Sequence, residues 1–148
     1  FTSIEYHIAS HLIMHGQVDQ ALPIIKGARN RYDGKTRNPF NEYECGNYYA
    51  RALSSYALLL ALSGFSYNAA TRTMRLNPRL PDGNPPGAFT TFFSTASAWG
   101  TVTLDGSELT VEVCEGKLQI EALSVCGKDI AIDARVVDAK QPGVFKRH

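Results

Sequence analysis

The side chains best able to do chemistry in this chain crowd one short polar stretch. Asp33, Arg37, Asn38, Asn41, Glu42, Glu44 and Asn47 fall within fifteen positions, interleaved with Tyr43, Tyr48 and Tyr49. An ionised carboxylate accepts two hydroxyls side by side, a guanidinium donates at fixed angles, and a carboxamide does both. That mixture suits the gripping of a polyol. Asp33-Gly34 is a turn signal, and Asn38-Pro39 followed by Asn41 is a second, so the stretch holds its Asn and Glu side chains in set directions. Read on residue type alone, the same carboxylates have a plainer use: they cap a helix beginning near Asn47 and pair with Arg37 or Arg51.

Three predicted helices surround this stretch. Thr2 followed by Glu5 makes a capping box, and Ile4, Ile8 and Leu12 form an i, i+4 stripe with Ile13 beside it, so a first helix runs from Thr2 to His15 and stops at Gly16. A second runs from Val18 to Arg31, with Val18, Leu22, Ile25 and Ala28 or Arg29 on successive turns and Pro23 either late in its first turn or bending it. The two form an αα-hairpin. The third, Ala50 to Gly64, carries one charge, Arg51, and is apolar nearly all round, which predicts enclosure by other helices. His7, His11 and His15 recur at i+4, yet no acidic ligand or catalytic Glu stands between them as a hydrolytic zinc motif requires. They read as a polar face packed against a neighbour, and no metal or cofactor is expected.

The segment NPFNEYECGNYYARALSSYALLLALSGF, Asn38 to Phe65, resembles the C-terminal signature of the non-lysosomal glucosylceramidase and bile-acid β-glucosidase family of glycoside hydrolases. Tyr32-Asp33-Gly34 and the helical pattern from Ile4 to Arg31 fit it, and the likeness extends more weakly through Trp99-Gly100 to about Leu123. The resemblance implies a parent enzyme with a long (α/α)6 barrel, of which this chain is the closing portion. It also implies roles. The Glu of the N-P-x-N-E run and the Arg of the Y-A-R run contact glucose hydroxyls in the −1 subsite; here these are Glu42 and Arg51, beside Asn41, with Arg37, Glu44, Tyr48 and Tyr49 in support. The family often has His where this chain has Tyr48, which alters the local hydrogen bonding. Its nucleophile Glu and acid/base Asp lie upstream of this sequence. Glu42 and Glu44 do not replace them, because such a pair faces itself across a sugar ring, about 5–5.5 Å apart for retention or about 6.5–9.5 Å for inversion.

After Gly64 the pattern changes. A short strand is predicted from Thr71 to Leu76, then turns through Pro81, Asp82-Gly83, Pro85 and Pro86. Phe89, Phe92, Phe93 and Trp99 supply aromatic bulk that beside a glucose pocket can stack on sugar faces; at strand spacing it is read instead as core, with Trp99 packing on the helices. Thr101 to Leu104, Glu108 to Cys114, Lys117 to Val125 and Ile130 to Val137 alternate as antiparallel strands, with turns at Asp105-Gly106, Glu115-Gly116 and Gly127-Lys128. Asp138 to His148 reads as a tail that is frayed or docks on sequence outside this chain. The expected fold is therefore α+β: three helices from the end of an (α/α)6 barrel over 1–66, packed with a C-terminal antiparallel sheet over 67–148. Cys45, Cys114 and Cys126 lack C-x-x-C spacing; Cys114 and Cys126 fit a cross-sheet pair or, preferred here, two reduced core thiols.

Composition narrows the partners. A formal charge of +1 with 20% charged residues argues against nucleic acid. No apolar run reaches the roughly 18 residues of a membrane span. The chain opens at Phe1 with no initiator Met or secretory leader, as expected of an excised piece or a processed chain. Its expected partners are a glucoside or glycolipid substrate in the intact parent, the upstream portion of the same protein, and a second copy through the apolar helical face. Two other classes stand beside the hydrolase: a carbohydrate-binding module, which needs a solvent-facing aromatic platform, and an interaction module without ligand.

Overall fold

The computed structural model describes residues 2–38, 51–81 and 87–146. The chain divides into two compact units, one of Phe1–Leu62 with Arg79–Asp82, the other of Ser63–Pro78 with Gly83–His148. In the first, α1 (Thr2–Met14) and α2 (Val18–Arg31) are joined at Gly16, and a 3-10 turn (Arg51–Ser55) leads into α3 (Tyr56–Ser63). Arg31, at the end of α2, pairs with Glu5 near the start of α1, and Thr2 donates to the Tyr32 hydroxyl at 3.2 Å. Their core is built on small residues. Ala9 of α1 and Ala21 and Ala28 of α2 are fully buried among Tyr6, Ile13, Val18, Leu58 and Ala61.

That face is the predicted one only in part. Ile13 is buried and Leu12 packs against the cluster, but Ile4 and Ile8 are each 49% exposed, and Tyr6 and Ala9 point inward in their place. The alanines explain the choice: a face with short side chains lets two helix backbones approach, whereas isoleucines hold them apart. His7 and His15 stand in solvent with His11, and the His11 and His15 rings meet edge-on at 4.5 Å, so the histidines are not packed in the core. The predicted helix from Ala50 to Gly64 is also shorter. Its first turn is 3-10, and α3 has only eight residues.

The second unit is all β. Nine strands follow: β1 (Ser66–Asn68), β2 (Thr73–Leu76), β3 (Phe89–Ser94), β4 (Ala98–Asp105), β5 (Glu108–Ile120), β6 (Ala122–Val125), β7 (Lys128–Ile130), β8 (Arg135–Asp138) and β9 (Gly143–Lys146). One sheet has the order β1-β2-β6-β7; in the other, β3-β4-β5-β8, β9 also pairs with β5. Alternation builds the core between them: Phe93, Val102, Val111, Leu118 and Phe145 from the second sheet share one apolar cluster with Met74, Leu76, Leu123 and Val125 from the first.

These observations overturn the α+β expectation. The described residues are mostly β, with three short helices against nine strands, and no portion of an (α/α)6 barrel is present among them. The predicted antiparallel meander is corrected too, because β2 and β6 run parallel, Thr73 opposite Ala122. A parallel pair needs a long crossover, and here strands of the other sheet supply it. Glu115-Gly116 is not a turn: β5 runs through it, and the register shifts between Trp99 and Gly100 so that Cys114 is the extra residue of a bulge. Cys114 is consequently exposed. Cys126 sits in the β6–β7 turn, where it and Gly127 both have positive φ (51 and 74). Both thiols are free and exposed rather than core. The tail is not frayed along its whole length, since β9 pairs with β5 and buries Phe145. No helix among the described residues is long and apolar enough to cross a membrane.

Candidate functional site

The polar stretch leaves α2 through a well-defined turn. Asp33 Oδ1 accepts the backbone N–H groups of Lys35 at 2.8 Å and Thr36 at 2.7 Å. Gly34 closes the turn by donating its N–H to the Arg37 carbonyl at 3.0 Å. The Arg37 guanidinium lies over the Tyr32 ring, 5.9 Å from its centroid, a cation–π contact that orients it at the base of the stretch. The Asp-Gly signal in the sequence is thus an Asx-type turn whose product is a directed arginine.

The two Asp33 hydrogen bonds, chiefly that from Thr36, hold its carboxyl below the ordinary value. A depressed folded-state pKa makes the turn's stabilisation complete above the ordinary carboxylate range and lost as pH falls through the lowered value. In an acid titration by NMR, the Lys35 and Thr36 amides should shift together with the Asp33 carboxyl. Amides that stay fixed while that carboxyl protonates would show that it is not their acceptor.

Of the predicted site residues, Arg37 is placed as above. Arg51 begins the 3-10 turn Arg51–Ser55, and only its backbone is described. Asn41, Glu42, Glu44, Tyr48 and Tyr49 lie outside the described residues, and with them the expected convergence of Glu42 and Arg51. Both flanks of that stretch, Asn38 and Arg51, belong to the helical unit. Among the described residues no cluster of His, Cys, Asp and Glu could hold a metal ion.

The β unit offers less enclosed ground. Two open clefts of ≈ 400 and ≈ 410 Å³ lie on it, one lined by Arg135 and Gln141, the other by Arg75, Glu121 and Asp129. Their strongest groups are partly committed: Arg135 donates to the Val144 carbonyl at 3.1 Å and stacks over Phe145, and Glu121 pairs with Arg72. The sequence pattern favoured the wrong side for a different feature. Phe92 and Trp99, read as core, are 46% and 44% exposed on the outer face of the second sheet, their rings 6.3 Å apart. The period-two alternation of Phe89 to Ser94 was the signal: it sends Phe93 inward and therefore Phe92 outward.

No protein-family model and no curated protein matches the chain. A solved structure titled "Putative kojibiose phosphorylase from human microbiome" is similar at 12% sequence identity with a TM-score of 0.48. The match is distant. It takes in 99% of this chain and 19% of that one, so this chain spans about a fifth of the length of the protein it resembles.

Proposed function

We propose that this chain is the sugar-holding portion of a glycoside hydrolase acting on a glucoside or glycolipid, similar to the β-glucosidases and glucosylceramidases. The observation that carries the proposal is the run from Asn38 to Phe65, in which a dense polar stretch feeds an apolar helical segment in the order N-P-F-N-E to Y-A-R. In this reading Glu42 accepts two glucose hydroxyls and Arg51 donates to their oxygens, with Asn41 beside them. Arg37, steered by Tyr32, supports that carboxylate together with Glu44, Tyr48 and Tyr49. The acid and base of the reaction come from another part of the same protein, so the chain alone binds without cutting.

Exposed apolar side chains on the helical unit fit the same reading. Leu53 and Tyr56 are 70% and 68% exposed, with Leu60, Ile4 and Ile8 also in solvent. Such a set is covered in a working protein, here by the upstream portion or by a second copy. Glucose added to the chain should shift amides within residues 38–52, with a dissociation constant on the order of 1 mM. Glu42→Gln and Arg51→Met should each abolish those shifts. An aryl β-glucoside should not be turned over. Turnover by this chain that Glu42→Gln removes would overturn the division of labour; shifts absent from that stretch would overturn the site.

A further inference from the structure

We propose that the outer face of the β3-β4-β5 sheet is a second sugar-binding surface, independent of the polar stretch and built to take a neutral, gluco-configured pyranoside. Strand register sets out its parts in two adjacent rows. Ser94, Trp99 and Glu115 are partners across the three strands in one row, and Phe92, Thr101 and Glu112 in the next. The rings of Phe92 and Trp99 thus lie diagonally beside each other, their planes inclined at 41°. The inward alternates, Phe93, Gly100, Val102, Val111 and Val113, supply the core, so the face is backed by packed sheet.

Three properties select the ligand. First, two splayed rings offer broad π-surface without enclosing a point, which suits the axial C–H face that an all-equatorial pyranose presents on each side. Second, the groups at the ends of the rows are acceptors. Glu112 and Glu115 are exposed and have no ion-pair partner among the described residues, and Thr101 donates to Glu112 Oε2 at 3.4 Å. Polyol hydroxyls are the complementary donors. Third, neither row carries Lys or Arg, so phosphates, acidic polymers and acidic lipids are repelled. A cation is drawn to carboxylates and rings alike, but cation recognition uses aromatic groups that surround the charge. The hydroxyls of Ser94 and Thr101 beside the rings serve a polyol better.

Trp99 is the one tryptophan in the chain and sits in the proposed contact, so its emission reports binding directly. Cellotetraose added to the full chain should change that emission saturably, with half-saturation on the order of 1 mM. About 0.5 M NaCl should leave the curve unchanged, since no ion pair is formed. Phe92→Ala should weaken binding about tenfold, the value of one aromatic contact. Glu112→Gln, which alters no ring, should weaken it several-fold and keeps the test valid if Phe92→Ala fails to fold. An unchanged emission overturns the proposal. So does a response that tetramethylammonium reproduces and salt abolishes, which makes the surface a cation site, or one that follows protein concentration alone, which makes it a self-association face. Loss of the Trp99 response with the amide shifts of residues 38–52 retained overturns this surface alone; the converse overturns only the polar-stretch site.

Discussion

Replacing Gly100 with alanine is expected to destabilise the β unit enough to leave it partly unfolded at room temperature. A Cβ at this position would stand 1.9 Å from the Glu112 carbonyl oxygen, 2.9 Å from its carbon and 3.0 Å from the Val113 Cα. All three are backbone atoms of β5, and none can rotate aside. Relief requires β4 and β5 to separate at the bulge, where the outer-face rows and the inner core are both aligned. We expect a loss of about 4 kcal/mol or more, in the severe tail of single substitutions, against a typical domain stability of about 5–15 kcal/mol. The usual gain of about 0.5–1 kcal/mol for Gly to Ala within a strand does not offset this. Urea unfolding followed by Trp99 emission should show the midpoint falling by about 2 M, given a slope of about 1–3 kcal/mol/M. Gly106→Ala is the control: φ is +55 there and nothing lies within 4 Å, so only local strain of about 1–2 kcal/mol is added. Equal midpoints for the two variants would show that β4 and β5 do not approach as described.

That close approach was invisible in the sequence, and the reason is instructive. Local signals read well wherever the structure is made by neighbours in sequence. The helices α1 and α2, the break at Gly16 and the Asp33 turn depend on contacts within a few residues, and each lies where the pattern places it. The hairpin after Asp105 also forms, with Gly106 and Ser107 as its two turn residues and Asp105 paired with Glu108. Long-range choices were not legible. Ile4 and Ile8 are as apolar as Ile13, and only the alanines on a second helix decide which face is buried. The parallel pairing of β2 with β6 joins segments nearly fifty residues apart, which no periodicity encodes.

Turn-forming residues misled where pairing outweighed them. Glu115-Gly116 looks like a hairpin turn, yet the strand continues through it because Gly116 (φ +88) accommodates the bulge beneath the Ser97 carbonyl. Gly143 to Lys146 starts on the glycine of a Pro-Gly pair and looks like a tail, but Phe145 gains more from burial beside Leu109 than from solvent. The barrel expectation failed differently. It came from likeness over the segment around the polar stretch, and the strands that dominate the described residues lie mostly beyond it. For the candidate site, residue types and their order were legible, together with the turn that aims Arg37. A convergence of Glu42 and Arg51 would depend on tertiary geometry that spacing does not contain.

The register of β3 gives the second large prediction, because it sets two adjacent phenylalanines to opposite tasks. Phe93 is 1% exposed and packs on Phe65 with ring centroids 5.4 Å apart, opposite Gly100 in the neighbouring strand. Glycine leaves the room beside it that the ring fills, so truncation opens a cavity next to Phe65 that the close-packed cluster around it fills only in part. Phe93→Ala should cost about 3–5 kcal/mol, the sum of lost transfer energy and an unfilled void. Phe92 lies one residue away on the solvent side, 46% exposed and beside Trp99. Phe92→Ala should change stability by no more than about 0.5–1.5 kcal/mol, the worth of one exposed aromatic pair. In a thermal scan of an 80-residue-scale unit, about 4–8 °C per kcal/mol, the Phe93 variant should melt more than about 12 °C lower and the Phe92 variant within about 12 °C of the parent. A slip of one residue in β3 would exchange the two side chains between core and solvent, and reversed costs would be its signature. Large costs for both would mean that another surface covers the outer face of the sheet, and the sugar platform would then be closed.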